Sequence, residues 1–268
     1  MIQELWTYLR TPCPRPYRKL GYLKGLVAIE ARHQRHEAAW APHLAQCHRA
    51  MIDSVSLASA RNKVVILGSG LLLDVPLAPL CHVMREVVLV DLAHLPSVRR
   101  RVKGKSKVTL VEHDVTGLAE ALLALKSGDE LPPPAATLPP EAEGADLIIS
   151  TNMLSQLDIT PRLEASQRTG RPESELDLWC RAILADHLRL LRGSGAFISL
   201  LTDSVHRYLD GEGREVERDD VIPGVELPDP VRSWTWTIAP LGELQEALEL
   251  QADVGWYPLG PGGEASPD

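Results

Sequence analysis

The sequence predicts an α/β fold: a seven-stranded, mostly parallel, doubly wound sheet with an N-terminal helical cap. Three observations support this prediction. First, Lys63–Leu67 is a β-branched, apolar run typical of a strand buried on both faces, and it ends at Gly68. Second, comparable runs recur with room for helices between them. Third, several runs end in polar residues, which indicates that the carboxyl ends of the strands share one ligand-binding edge.

The remaining strands are recognised by the same kind of short aliphatic or alternating run. They are Val87–Asp91, Val108–Asp114, Ala145–Ser150, Gly195–Leu201, Ser233–Ile238 and Asp253–Tyr257. Apolar periodicity predicts the helices Leu71–Met84, Gly117–Lys126, Ser174–Leu191 and Leu241–Leu250. The charged segment Leu209–Arg232, which contains prolines, is expected to be a loop.

The organisation along the chain follows from these elements. Residues 1–60 are predicted to form an arm and a helical cap of two helices that meet at Pro42, because proline disfavours helix at the residue before it. Residues 61–258 form the predicted Rossmann-like domain, in which 127–144 is a proline-rich insertion loop. Residues 259–268 are expected to be a disordered tail.

Composition excludes several classes of function. The chain of 268 residues carries a formal charge of −8, and its basic residues are scattered apart from Arg99–Lys107, so nucleic acid is not an expected partner. Four cysteines lie far apart without a Cys-x-x-Cys pair, and the first residues lack the features of a signal peptide. Because no apolar stretch is long enough to span a bilayer, no membrane partner is expected. The predicted location is cytoplasmic.

The first strand and the glycines after it predict a nucleotide-type site. Glycine lets the main chain approach a ligand closely, and the N–H groups that follow can bind an anion. Asp91 ends the second strand, 21 positions after Gly70. This is the spacing expected for a carboxylate that accepts hydrogen bonds from ribose hydroxyls.

Between Lys63 and Tyr257 the sequence resembles the class I S-adenosylmethionine-dependent methyltransferases, in the order and spacing of these strand ends. The resemblance implies S-adenosyl-L-methionine as cofactor. It also implies a set of cofactor-binding residues along the strand ends, from the methionine-end loop through the ribose and adenine positions to the pocket floor: Gly68, Ser69, Gly70, Asp91, Leu92, Asp114, Val115, Ser150 and Asn152.

The sequence departs from the family pattern at two positions of the glycine loop. The acid that usually stands two residues before the first glycine is Ile66, and the third glycine is Leu72. Asp74 is a candidate for the missing carboxylate. The competing nicotinamide fingerprint needs a small residue where this chain has Leu73, so the methyltransferase pattern fits better.

The leading hypothesis is therefore methyl transfer to a small or medium-sized molecule or a peptide. A non-catalytic, methyltransferase-like binding protein and an NAD(P)-dependent oxidoreductase are the alternatives. Methyl transfer requires alignment more than acid or base catalysis, and no catalytic residue is assigned. Candidate substrate-binding residues lie in the cap and just beyond strand ends: Tyr17, Arg32, His33, Asn152, Gln156 and Asp203.

The cap also concentrates histidine, at positions 33, 36, 43 and 48. These residues could be metal ligands, solvated or core-edge side chains, or part of a surface that binds an acidic substrate. Arg32 and Arg35 would repel a cation, and Pro42 breaks the helical register, so no metal site is predicted.

Overall fold

A computed structural model describes residues 2–244 and 247–261 of the chain. The helices are α1 (Ile2–Arg10), α2 (Arg15–Lys19), α3 (Tyr22–Leu57), α4 (Leu77–Val83), α5 (Pro96–Val102), α6 (Ala119–Ala124), α7 (Ile159–Thr169) and α8 (Glu173–Gly193). The strands are β1 (Lys63–Leu67), β2 (Glu86–Asp91), β3 (Val108–Glu112), β4 (Leu147–Thr151), β5 (Phe197–Leu209), β6 (Glu215–Asp220), β7 (Arg232–Ala239) and β8 (Glu249–Leu259). Among these helices, none is long and apolar enough to cross a bilayer.

The strands form one sheet in the order β3-β2-β1-β4-β5-β8-β7, with β6 paired to β5 outside this path. Strands β1 to β5 are mutually parallel, and β8 runs antiparallel to both of its neighbours. The predicted mostly parallel, doubly wound sheet is confirmed. Strand β6 lies within the segment predicted as a loop, and that prediction was wrong. Its residues are all exposed, so it has no apolar alternation that could indicate a strand.

Helices cover both faces of the sheet. On β1, Val65 and Leu67 pack with the cluster that includes α6 and α8, whereas Val64 and Ile66 pack with the cluster that includes α3 and α4. Because both faces are buried, the central strands consist of continuous apolar runs. This is why the sequence indicates them clearly.

The cap differs from the prediction. Its main element, α3, spans 36 residues and consists of two helices joined at a kink at His36 (φ −123°, ψ 28°), so the two predicted helices meet at His36 and Pro42 lies within the second. Proline removes one helical hydrogen bond and crowds the preceding turn, which places the break upstream of Pro42. The segment expected to be an arm contains two short helices, α1 and α2, which are separated by the proline-containing segment 11–14.

Two other predicted helices were wrong in extent. The helix after the glycine loop starts at Leu77 and not at Leu71, because Gly70 and Leu72 have positive φ of 49° and 59°, which a right-handed helix excludes. The segment 241–250 contains a turn and the start of β8, while residues 245–246 lie outside the described part. Helices α5 and α7 were not predicted. Of the predicted tail, Leu259 ends β8, and residues 262–268 also lie outside the described part.

The proline-rich insertion 127–144 is irregular apart from a 3₁₀ turn at Pro140–Ala142. It lies along α8, where Trp179 donates a hydrogen bond to the carbonyl of Pro132 (2.7 Å). The main-chain N–H of Ala136 donates to Asp186 of the same helix (2.6 Å). The insertion is therefore held to the outer surface of the domain.

Gly68 offers a test of how closely the loop after β1 approaches the loop after β4. Its φ is +76°, and a Cβ there would lie 2.9 Å from the carbonyl oxygen of Thr151, whereas Gly104 has φ +77° and open space around it. We expect Gly104→Ala to lower the free energy of unfolding by about 1 kcal/mol through backbone strain. Gly68→Ala should cost at least about 1 kcal/mol more, because backbone must also move.

Urea unfolding of the two variants beside the parent measures this difference. Equal losses of stability for Gly68→Ala and Gly104→Ala would show that the loop after β4 does not pack on Gly68.

Candidate functional site

The site lies at the carboxyl edge of the sheet, where the loops after β1 and β4 meet. The chain passes from β1 to β2 on one side, whereas β4 is followed by β5 on the other, and such a switch point opens a crevice for ligands. Asn152 begins the loop after β4 with a φ of +48°. Its N–H donates to the carbonyl of Leu201 (2.9 Å), which fixes the loop against β5.

Asp91 lies at the end of β2 beside the glycine loop. Its Oδ2 accepts a hydrogen bond from the N–H of Gly70, and its Oδ1 accepts one from the N–H of Leu92, both at 2.7 Å. Burial raises the pKa of Asp91, and His94 together with the main-chain donors opposes that rise. Each carboxylate oxygen keeps acceptor capacity, so Asp91 can bind hydroxyl groups while it holds the loop.

Asp74 joins the two loops of the switch point. Its Oδ2 accepts hydrogen bonds from Thr151 Oγ1 (2.8 Å) and from Asn152 Nδ2 (2.9 Å). Burial raises the pKa of Asp74, and these two bonds oppose the rise. One residue earlier, the carbonyl of Leu73 accepts a hydrogen bond from His48 Nε2 of α3 (2.9 Å). The cap is thus attached to the same loop.

His43 of α3 is enclosed by two tryptophans of β7. Its ring stacks on Trp236 with a centroid distance of 4.0 Å and an interplanar angle of 9°, and its Nδ1 accepts a hydrogen bond from Trp234 Nε1 (3.0 Å). Burial lowers the pKa of His43 to about 3. The ring is therefore neutral at physiological pH, and the bond from Trp234 leaves its proton on Nε2.

Cys47 lies beside His43 and Asn152. Its Sγ is 3.5 Å from His43 Nε2 and 3.8 Å from Asn152 Nδ2. Burial raises the pKa of the Cys47 thiol well above its usual value. A thiol that stays protonated is a poor nucleophile, so Cys47 lines the site without a covalent role. Among the described residues, no group of three or more His, Cys, Asp or Glu could hold a metal ion.

A second polar group lies where β5 passes beyond the carboxyl edge. Asp203 is buried, and its carboxylate accepts hydrogen bonds from the hydroxyl of Ser155 and from Nε2 of His206 (2.7 Å for the latter). Asp203 also lies close enough to His43 to influence its pKa. The candidate substrate residues Asn152 and Asp203 therefore belong to one region.

Two buried polar atoms of the loops after β1 and β4 lack a hydrogen-bond partner in the described part of the chain. They are Ser69 Oγ in the glycine loop and Asn152 Oδ1 in the loop after β4. Ser69 is fully buried. Since buried polar groups are normally satisfied, a polar ligand or an ordered water could supply the missing partner of each atom.

Other candidate cofactor residues have structural roles. Asp114 binds the N–H of Thr116 (2.9 Å) and that of Ala119, the first residue of α6 (2.8 Å). Val115 is buried in the core cluster on the α8 side of the sheet. Ser150 Oγ lies 3.0 Å from Nε2 of His187, a buried residue of α8. Their assignment to the cofactor remains a prediction.

Of the remaining substrate candidates, Gln156 contacts this region, whereas Tyr17 and His33 lie apart from it. Tyr17 lies near Asp114, beyond the end of β3. His33 packs against Trp40, with ring centroids 5.6 Å apart, and the exposed Gln156 donates to the carbonyl of Asn152 (2.6 Å).

Arg32 is engaged in an ion-pair cluster at the far end of the cap. Glu243, in the turn between β7 and β8, accepts bonds from Arg32 Nε (3.4 Å), Arg35 Nη2 (2.5 Å) and His36 Nε2 (2.8 Å). An internal carboxylate therefore already occupies the basic surface that the sequence suggested for an acidic substrate.

Sequence reasoning missed Trp234 and Trp236, whereas Thr151, Ser155 and His206 were expected at the carboxyl edge of the sheet without an assigned role. The alternation over 233–238 did predict an edge strand, which β7 confirms. It could not show that α3 packs on the tryptophan face of that strand, because this contact joins residues nearly 200 positions apart (191 for His43 and Trp234).

No protein-family model and no curated protein matches the chain. Solved structures that resemble it include DhpI in a complex with SAH, at 12% identity and a TM-score of 0.38 over 88% of this chain and 95% of that chain. N-methyltransferase NodS from Bradyrhizobium japonicum WM9, with S-adenosyl-L-homocysteine, has 14% identity and a TM-score of 0.38 over 80% and 86%.

A third structure is 1,6-didemethyltoxoflavin-N1-methyltransferase from Burkholderia thailandensis, with 1,6-didemethyltoxoflavin and S-adenosylhomocysteine bound. It has 14% identity and a TM-score of 0.39 over 91% of each chain. At these values the likeness carries no argument about the ligand or the reaction of this chain.

The Glu243 cluster predicts a pH-dependent contribution to stability. Hydrogen bonds from Arg35 and His36, with Arg32, lower the pKa of Glu243 from 4.5 to about 2. A lowered pKa in the folded state stabilises the protein above the unfolded pKa, and that contribution is lost as the pH falls from about 4.5 to about 2. Glu243→Gln should therefore lower the free energy of unfolding at neutral pH by about 1 kcal/mol, because the partners are partly exposed.

Denaturant unfolding at neutral pH and at a pH between those two values measures the effect, with exposed Glu226→Gln as the control. The loss should shrink at the lower pH for Glu243→Gln. An equal loss at both pH values would contradict the ion-pair interpretation.

Proposed function

We propose that the chain binds S-adenosylmethionine at the switch point between β1 and β4 and transfers its methyl group to a small or medium-sized acceptor. The observation that carries the proposal is the position of the Asp91 carboxylate at the end of β2. Its Oδ2 accepts a hydrogen bond from the N–H of Gly70 at 2.7 Å. A carboxylate fixed beside a glycine turn at a topological switch point is the arrangement that binds a nucleoside with an attached polar chain.

Different residues at this edge would contact different parts of the cofactor. The N–H groups of Gly68–Gly70 are already bound to Val90 and Asp91, so the polar group that this loop would offer to the ligand is the unpartnered hydroxyl of Ser69. Asp91 would accept from the two ribose hydroxyls, and half-buried Leu92 would supply an apolar contact for the base. When bound, the cofactor supplies a methyl group activated by a sulfonium centre.

Asn152 is the residue proposed to position the acceptor. Its Nδ2 is committed to Asp74 (2.9 Å), which fixes the amide plane and leaves Oδ1 buried without a partner in the described residues. An oxygen held in this way requires an N–H or O–H donor from the ligand. Orientation of the reacting atom is the main contribution that a protein makes to a displacement of this kind.

The cap excludes water from the site. Leu23 and Val27 of α3 pack on Leu71, Ala93 and Leu95, which flank the glycine loop and the end of β2. The division into a cap of residues 1–60 and a domain of residues 61–258 is part of this proposal. A closed, water-free site strengthens the electrostatic interactions within it.

Replacement of Asp91 tests the proposal. The parent should bind S-adenosylhomocysteine with at least micromolar affinity in a calorimetric titration, and Asp91→Asn should weaken that binding by about 1.5–3 kcal/mol, the usual value of a charge-assisted hydrogen bond. Glu112→Gln is a matched control, because Glu112 ends the neighbouring strand β3 but pairs with Arg99 outside the site.

The control should bind like the parent. The absence of binding to the parent at millimolar ligand would remove the proposed function. Parent-like affinity in Asp91→Asn would show instead that Asp91 does not contact the ligand.

A further inference from the structure

We propose that His206, oriented by Asp203, is the catalytic residue that accepts the proton of the acceptor during methyl transfer. This inference rests on the proposed function and extends it. It limits the acceptor to molecules whose reacting atom carries a proton to lose, that is, an N–H or O–H group.

The register of the sheet places His206 on the side of the site. Pairing of β5 with β4 ends at Leu201 opposite Thr151, and β5 then continues for eight residues with a bulge between Asp203 and Val205. Asp203 of β5 and Trp234 of β7 both lie opposite Val254 of the strand between them, β8. In the same way, His206 and Trp236 both lie opposite Ala252.

Side chains directly opposite each other on neighbouring strands project from the same face of a sheet. Trp236 stacks on His43 of α3, so this face is the one that α3 covers. Asp203 and His206 therefore share that face, in the region that also contains Asn152, which lies 3.5 Å from His43. The bulge is what allows the two residues to share it, because Ser204 is the extra residue between them.

The hydrogen bond between the two side chains sets the tautomer of His206. A carboxylate accepts only, so Nε2 of His206 must donate to Asp203 Oδ2 (2.7 Å), which leaves the lone pair on Nδ1. Asp203 is fixed in turn by the hydroxyl of Ser155. The side chain of Asp203 is 6% exposed and that of His206 is 22% exposed, so the carboxylate is buried while the ring remains accessible to a ligand.

The reaction step balances with these groups. The X–H bond of the acceptor breaks, and its proton goes to Nδ1 of His206. The electron pair of X forms the new bond to the methyl carbon, while the pair of the carbon–sulfur bond stays on sulfur. The imidazolium that results is paired with Asp203, which stabilises it by charge and by a hydrogen bond.

The charges around His206 favour this role. On β6, Asp219 is directly opposite His206 in the register, and on β5 Tyr208 lies two residues further along the same face. From α3, His43 is neutral because burial lowers its pKa to about 3. The register partners on β8 and β7 are Ala252 and Trp236, which carry no charge. Among these neighbours of His206 the charged side chains are the carboxylates of Asp203 and Asp219, and none is a cation.

A binding experiment tests the inference without a known acceptor. Sinefungin is an analogue of S-adenosylmethionine in which a carbon bearing a protonated amine replaces the methylated sulfur. If the dyad faces the methyl position, the parent should bind sinefungin about tenfold more tightly than S-adenosylhomocysteine, the gain of one charge-assisted hydrogen bond. The ratio should be lower in acidic buffer, since an imidazolium repels the amine.

Three variants separate this role from a structural brace. His206→Gln keeps a hydrogen-bond donor to Asp203 but cannot take up a proton, and Asp203→Asn removes the charge of the dyad. His82→Gln is the control, because His82 is an exposed residue of α4. We expect the first two to lower the sinefungin ratio at least about threefold while S-adenosylhomocysteine still binds, which also shows that the protein is folded. The ratio of His206→Gln should not vary with pH, whereas His82→Gln should behave like the parent.

The outcomes are distinguishable. If S-adenosylhomocysteine binds and the ratio and its pH dependence are the same in the parent and in both dyad variants, His206 is a structural brace and the inference is overturned. If the parent does not bind S-adenosylhomocysteine, the proposed function fails, and the inference fails with it.

Discussion

The arrangement of the site depends on one buried carboxylate. Asp74 accepts hydrogen bonds from Thr151 and Asn152, so it joins the loop that leaves β1 to the loop that leaves β4. These two strands are neighbours in the sheet but are separated by more than 80 residues of chain in their register, as for Val64 and Leu147. A buried acceptor with two donors is costly to break, because the freed groups would remain without partners. The position of Asn152 follows from this link.

The cap is attached to the domain at several points of different chemistry. His48 binds the loop that carries Asp74, and His43 is held between the tryptophans of β7. Glu243, in the turn between β7 and β8, pairs with Arg32, Arg35 and His36 of α3. Since α3 contacts both the central loops and the edge strand, it closes the site on one side. A cap fixed in this way determines which face of the β5–β8–β7 extension is available to an acceptor.

The charge of the site differs from the expectation that the basic cap suggested. Arg32 and Arg35 are compensated by Glu243, whereas Asp203 and Asp219 lie on the strands that extend the site. The region around Asp203 is therefore lined by hydrogen-bond acceptors and aromatic rings. Such a surface favours ligands that donate hydrogen bonds over acidic ones.

The sequence by itself determined the parts of the molecule that depend on local pattern. The buried strands β1, β2 and β4 are continuous apolar runs, and the positions of Gly68, Asp91 and Asn152 at their ends followed directly from those runs. Only the tertiary structure decided which polar residues meet. Asp203 and His206 share a face because of a bulge at Ser204, and His43 reaches the site because α3 continues through Pro42 onto β7. Long-range register and helix packing decide such contacts, and neither leaves a periodic signal in the chain.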